Sequence, residues 1–376
     1  EWCERRLLAR IHRYTMERLR KEIEAVPLSD FMRFLFVWQH IGLPDRLEGP
    51  DALLTIIEQL EGYEAAAVAW ESDILPLRIA EYDPAMLDMA CLSGRIVWGR
   101  VRYARTTGGN GPVKSTPITF QQRRHIGLWH TVTSSENSSP DALSHSAQAV
   151  FDFLRLRGAS FFHEVSERAG VLRSQAEDGI AELVSLGLVT ADSFNGLRAL
   201  LVPAKYKIQS SHHRKLPPFS MDNAGRWGLI QTAFDESAQV SEEAALQFSA
   251  NRLLKRYGVV FRRLVEREAW APPWRELVRM LRKMEARGEI RGGRFVESIS
   301  GEQFALPEAV TKLRAIRREK PDQALIALCA VDPLNLLGSV IPGDKVAALA
   351  QNRVLYQNGV PIAVLESGNF GTLIKI

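Results

Sequence analysis

The 376 residues are 46% apolar and 24% charged with a formal net charge of +4, an ordinary globular composition that excludes collagenous and disordered chains. No apolar run approaches the roughly 18 residues of a membrane span, and no signal peptide opens the chain. Cys3, Cys91 and Cys329 are too scattered for a disulfide framework or a zinc site, which predicts a reducing, cytoplasmic setting without metal.

In chain order, residues 1–24 read as one helix with Leu7, Leu8, Ile11, Met16, Leu19 and Ile23 as its apolar positions and arginines over the rest. Pro27 ends it. Ser29 or Asp30 caps a second, aromatic helix over 31–40, whose Phe31, Phe34, Phe36 and Trp38 predict core packing. A first unit follows, with helices at 51–60, 71–79 and 85–92, a strand over 97–103, a Gly/Thr/Pro-rich wing tip at 106–117 and a returning strand within 120–129. The polar run 134–139 marks a linker. A second unit has helices at 142–157, 161–169 and 172–186, a strand from Gly187, an Asn195-Gly196 hairpin turn and a return over 197–202. The basic stretch 205–218, with His212-His213-Arg214-Lys215, reads as a loop.

The third unit is the clearest. Pro272-Pro273 opens a helix in which Leu277, Val278, Leu281 and Met284 recur at helical spacing, while Arg275, Arg279, Arg282, Lys283 and Arg287 fill the other positions. Gly288 stops it, and a hairpin punctuated by Gly292-Gly293 and Ser300-Gly301 reaches Leu306. Helix, strand, hairpin is the order of a winged helix, whose second long helix can enter a DNA groove. Gly94-Arg95-Ile96, Gly187-Leu188-Val189 and Gly288-Glu289-Ile290 each follow an amphipathic helix, and their recurrence at about 95 residues predicts tandem copies. Past Pro321, short apolar runs alternate with turns, among them the Asn358-Gly359 hairpin signature. The expected fold is mainly α with small β-hairpins (α+β). It comprises a basic helix (1–25), winged-helix units at 26–133, 134–215 and 216–318, and a β-barrel-like C-terminal element at 319–376. The chain reads as a piece of a longer protein.

Between Ala250 and Arg294, thirteen Lys/Arg stand against five Asp/Glu, a local surplus of eight. No Walker-type phosphate loop, G-x-S-x-G elbow or H-E-x-x-H pair occurs, and the histidines are scattered, so nothing points to an autonomous enzyme. Polynucleotide binding needs cations for phosphates and surfaces on which bases stack. Arg6, Arg10 and Arg13 on the first helix, Arg275, Arg279 and Arg282 on the third unit's helix, and Arg291 and Arg294 on its wing supply the former. Trp70 is the candidate for the latter. The competing reading is a solvated basic face and a buried indole. Asp332 and Asn335 form the one polar cluster of the terminal β element that could act on a base or sugar, against a plain turn-forming role.

The run Arg5-Arg6-Leu7-Leu8-Ala9-Arg10-Ile11-His12-Arg13-Tyr14-Thr15, with Asp30-Phe31-Met32-Arg33-Phe34-Leu35 and Trp38-Gln39-His40, resembles the large helicase-related (Lhr) family of superfamily 2 DNA helicases. The likeness continues through Ala69-Trp70-Glu71, Trp270-Ala271-Pro272-Pro273-Trp274-Arg275, Asp332-Pro333-Leu334-Asn335, Asn352-Arg353-Val354-Leu355-Tyr356 and Gly359-Val360-Pro361. It implies an accessory region following two RecA-like motor domains that use ATP and Mg to move 3′ to 5′ along single-stranded DNA. The accessory region would clamp the tracking strand, with Ile11 and Trp70 as the matching contact positions. Single-stranded DNA, DNA or RNA:DNA duplex and the motor domains of the same chain are the implied partners, in a nucleoid-associated protein. Lacking the motor, this piece binds no cofactor of its own. The likeness extends to a DNA glycosylase family of tandem winged helices and a β-barrel, so a base-processing module is one alternative. A winged-helix regulatory or docking array is the other.

Overall fold

The computed structural model describes residues 4–21, 23–42, 44–102, 114–133, 143–202, 220–230, 240–320 and 323–373. They fold into two compact units, one of Arg46–Ala245 and one of Glu1–Asp45 with Leu246–Ile376. Most of the expected wing tip at 106–117, the linker at 134–139 and the basic loop at 205–218 lie outside the described residues. Among those described, no helix is long and apolar enough to cross a membrane.

Three times the chain runs helix, short strand, helical turn, helix, strand, strand, and three times the strands order themselves first–third–second. This is the winged-helix plan. The first copy uses the helices Ala52–Leu60 and Pro84–Leu92 and the strands Ala65–Ala66, Ile96–Gly99 and Pro117–Gln122. The middle copy uses the helices His145–Arg157, Phe162–Arg168 and Arg173–Leu186 and the strands Ser160–Phe161, Val189–Ala191 and Arg226–Leu229. Its closing strand therefore lies past the expected boundary at 215. The last copy uses the helices Glu242–Tyr257, Arg262–Val265 and Trp274–Ala286 and the strands Val259–Phe261, Arg291–Gly293 and Gln303–Ala305.

In the Arg46–Ala245 unit, the first and middle copies are joined by a dense polar seam. Arg198 is 8% exposed. It donates to Glu71 from Nε (2.8 Å) and Nη2 (2.7 Å) and to Asp88 from Nη1 (2.6 Å). The Tyr82 hydroxyl also donates to Glu71, at 3.0 Å. Trp98 Nε1 donates to the Ser193 carbonyl at 3.0 Å, and the Thr190 hydroxyl returns a bond to the Trp98 carbonyl at 2.7 Å.

Two local expectations, one of a turn and one of a strand, fail here for tertiary reasons. Asn195-Gly196 does not turn a hairpin; it opens the helix Asn195–Leu201, because the Asn195 N–H is drawn to Asp88 Oδ1 (3.1 Å). Gly196 is needed for close approach, since a Cβ there would stand 2.8 Å from the Trp227 ring. The return strand expected within 120–129 ends at Gln122, and Ile126–Thr133 is helical. The cause is the buried Glu61 carboxylate, which collects the Gln122 N–H (3.0 Å), His125 Nδ1 (2.9 Å) and Trp129 Nε1 (3.1 Å).

Trp70 is the larger correction. It is 0% exposed, donates its indole N–H to the Ile118 carbonyl at 2.8 Å, and sits edge-on to Phe120 at 4.9 Å between centroids. It anchors a core and offers no face for a base to stack on.

The other unit is built around the aromatic helix Leu28–Trp38. Phe31 meets Phe261 of the last winged helix at 5.8 Å, Trp38 Nε1 donates to the Lys255 carbonyl at 2.9 Å, and Phe36 meets Tyr356 edge-on at 5.5 Å. A Cβ on Gly258 would stand 2.7 Å from Phe34 Cζ, and φ is +66° there, so that position admits glycine. Tyr356 belongs to a four-stranded antiparallel meander, Leu325–Cys329, Arg353–Gln357, Val360–Glu366 and Asn369–Thr372. Asn358 and Gly359 turn it with φ of 50° and 73°, as the Asn-Gly signature predicts. The described strands make a sheet and do not close a barrel.

Trp70→Ala removes a fully buried indole and should lower unfolding free energy by about 3–5 kcal/mol, read from urea unfolding. Arg198→Ala leaves Glu71 and Asp88 half-buried without their cation and should cost about 3 kcal/mol in the same assay. An unchanged denaturation midpoint in either variant would contradict the packing described.

Candidate nucleic-acid interface

A phosphate contact needs cations that are exposed and not already neutralised. The three helices in recognition position differ on this test. Pro84–Leu92 carries a single charge, Asp88, which is committed to Arg198. Arg173–Leu186 sets Glu177, Asp178 and Glu182 against Arg173, itself paired with Asp222 at 2.6 Å. Trp274–Ala286 carries Arg275, Arg279, Arg282 and Lys283 against Glu276 and Glu285. Only the last winged helix presents a cationic recognition face.

Its sequence explains the orientation. Leu277, Val278, Leu281 and Met284 are buried as their spacing predicts, which turns Arg275, Arg279 and Arg282 outward. Glu302 holds Arg282 through both Nε (3.1 Å) and Nη2 (2.8 Å), so that charge is partly offset. Arg275 and Arg279 make no ion pair among the described residues. Arg291, on the wing strand, and Arg294, beside it, are both exposed.

The wing is set by Glu285, whose side chain is 5% exposed. Its Oε1 accepts from the Gly292 N–H at 3.0 Å and from Arg20 Nε at 2.8 Å, while Oε2 takes Arg20 Nη2. A Cβ on Gly292 would stand 2.3 Å from Oε1, and one on Gly293 2.2 Å from Ile23 Cδ1. Just downstream, the Val26 N–H donates to the Phe295 carbonyl and the Glu297 N–H to the Val26 carbonyl, both at 2.8 Å. The base of the opening helix, Arg5–Lys21, is thereby fastened to the wing.

On that helix Arg6 and Arg10 are exposed and Ile11 is 50% exposed. Arg10 stands about 15 Å along the axis from Arg20. The side chain of Arg13 lies outside the described residues. Leu7, Leu8 and Tyr14 are exposed as well, so the Leu7, Leu8 and Ile11 part of the expected apolar stripe is not buried; the described packing of this helix is at the Arg20 end.

Asp332 and Asn335 are corrected to turn-formers. Both are buried. Asp332 Oδ1 accepts from the Leu334 N–H at 2.9 Å, and Asn335 Nδ2 donates to the Ala330 carbonyl at 2.9 Å. Arg267 closes the turn by donating to the Pro333 and Asn335 carbonyls at 2.9 and 2.7 Å. Burial pushes the neighbouring Tyr356 phenol above its usual range, with Arg267 opposing. This is a buried structural corner, with no carboxylate open to a substrate. The residues that sequence reasoning missed are Arg20, Glu285 and Glu302. The Gly292-Gly293 doublet was the available sign that side chains approach the wing closely.

Two models of the large helicase-related protein winged-helix domain match the chain, over residues 26–123 and 239–325. The Lhr helicase/probable uracil glycosylase of Mycolicibacterium smegmatis is 29% identical over 385 residues, covering 93% of this chain and 24% of that protein. The Lhr helicase/uracil glycosylase of Escherichia coli is 28% identical over 355 residues, covering 87% of this chain and 22% of that protein. The chain thus spans about a quarter of the length of these relatives. Matched by two of the family's winged-helix domains and aligned along most of its length with its helicases, the chain belongs to the large helicase-related protein family.

Proposed function

We propose that this chain is the DNA-binding accessory region of a helicase, and that its last winged helix makes the principal contact. The observation that carries the reading is the charge contrast among three helices of one architecture. Two have their charges neutralised or acidic, while Trp274–Ala286 turns unpaired Arg275 and Arg279 outward beside Arg291 and Arg294 on the wing. Such cations hold phosphates and fix register; they carry no base code, so binding is sequence-tolerant and salt-dependent.

The helicase part rests on the relatives named above. ATP and Mg belong, on this reading, to motor domains outside this sequence, which itself contains no Walker-type loop. Clamping of the tracking strand would use the opening helix, where Arg6, Arg10 and Ile11 stand exposed, and not Trp70. Base excision, which the relatives' names include, would have to use residues other than Asp332 and Asn335.

The test is fluorescence anisotropy of a labelled duplex over a salt series. The double variant Arg275→Ala/Arg279→Ala should weaken binding of unrelated sequences alike and reduce the magnitude of the log–log salt slope by about 1.8, roughly 0.9 per lost phosphate contact. A slope identical to that of the parent chain would remove this helix from the interface.

A further inference from the structure

A hollow of about 730 Å³ opens on the first winged helix, lined by Ala52–Leu60 and Pro84–Leu92. Leu53 and Ala90 are its buried part, Leu54, Ala80 and Met86 are half-buried, and Met89 lines it while 71% exposed. One turn further along the same helix Leu92 is 60% exposed. Met86, Met89 and Leu92 recur every third residue and so neighbour one another on the helix surface. They put an apolar strip on the helix that a DNA reader would use for its contacts. A contiguous apolar surface left in water next to a hollow marks a place where something docks.

The charges beside it have a direction. The Leu47 N–H donates to the Arg78 carbonyl and the Ala80 N–H to the Leu47 carbonyl, both at 2.9 Å, which sets Glu48 beside Glu81 ahead of Pro84–Leu92. Both carboxylates line the hollow, are exposed and make no ion pair among the described residues. Glu81 is also held at φ of 52°, a left-handed conformation that costs a residue with a Cβ and recurs at binding sites. Among the described lining residues the one cation is Arg95, past the far end of this nine-residue helix, which is about 14 Å long. A phosphate backbone laid here would meet two uncompensated acids.

We propose that this hollow docks a basic amphipathic helix of a partner protein. Aliphatic side chains of that helix lie against Leu54, Met86 and Met89, and a lysine or arginine stands over Glu48 and Glu81. Charge complementarity selects this occupant, because the unpaired acids repel nucleic acid and attract a cationic segment. Methionine suits such a groove, since its flexible thioether adapts to the irregular apolar face of an inserted helix. The first copy thereby acquires a role separate from the DNA contact of the last copy, and the two stand independently.

The probe is a labelled amphipathic leucine–lysine peptide, with a leucine–glutamine peptide of the same pattern for comparison, titrated with the full chain by fluorescence anisotropy. The leucine–lysine peptide should bind about tenfold more tightly than the uncharged one. Met89→Ser should weaken both on the order of tenfold. Glu48→Lys/Glu81→Lys should weaken the leucine–lysine peptide by at least as much and leave the leucine–glutamine peptide as it was. All three replaced side chains are exposed, so the fold is spared. Met89→Ser should leave duplex binding unchanged, and Arg275→Ala/Arg279→Ala should leave peptide binding unchanged, so failure of either contact is read separately. No peptide binding, equal affinity for the two peptides, unchanged affinity in Met89→Ser, or loss of duplex binding in Met89→Ser would each overturn the proposal. Self-association of the parent chain that Met89→Ser abolishes in sedimentation would overturn it too, and would give the surface to a second copy.

Discussion

The buried carboxylate of Glu285 is the constraint on which the cationic unit depends. An ionised carboxylate removed from water is costly unless its oxygens are filled by donors. Here the donors come from two places far apart in sequence, the Gly292 backbone and the Arg20 guanidinium. Meeting that demand fixes the wing against the recognition helix and brings the end of the opening helix onto the wing. The same demand requires glycine at 292, because a side chain there would occupy the space of the carboxylate oxygen. A glycine doublet that looks like loop punctuation is thus a packing requirement, next to the arginines that the wing displays.

The other unit shows what the same architecture does when its charges are turned inward. Arg198, on a helix inserted in the middle copy's wing, is enclosed by Glu71 and Asp88 of the first copy. Asp88 lies on the helix that would enter a groove in a DNA reader, so the ionic seam consumes that helix's only charge. Placed away from water, the network is worth little as net stability but specifies how the two copies dock. Family membership in a winged-helix array therefore does not make every copy a reader. Charge and commitment to neighbours separate them.

The sequence made the periodic features legible. Three helix–glycine–strand junctions announced three copies, and the spacing of Leu277, Leu281 and Met284 oriented the basic face, because local periodicity survives into tertiary structure. What it concealed was pairing at long range. Whether Trp70 faced a base or a core was decided by Ile118 and Phe120, about fifty residues on. Whether Arg282 was free was decided by Glu302, and whether Asn195-Gly196 turned or coiled by Asp88 and Trp227. Residue type restricted each of these positions to two or three roles. The partner chose among them.

The wing joins these threads. Gly292 is tied to the carboxylate of the recognition helix, and Gly293 is pressed by Ile23, just past the opening helix. One short strand, Arg291–Gly293, therefore joins the recognition helix to the segment that follows the opening helix, with Arg291 exposed at its start. Because both glycines admit no side chain, the strand cannot shift toward either neighbour without breaking a contact with the other. Rigid placement of the wing arginines against the recognition helix thus follows from one buried acid and two glycines.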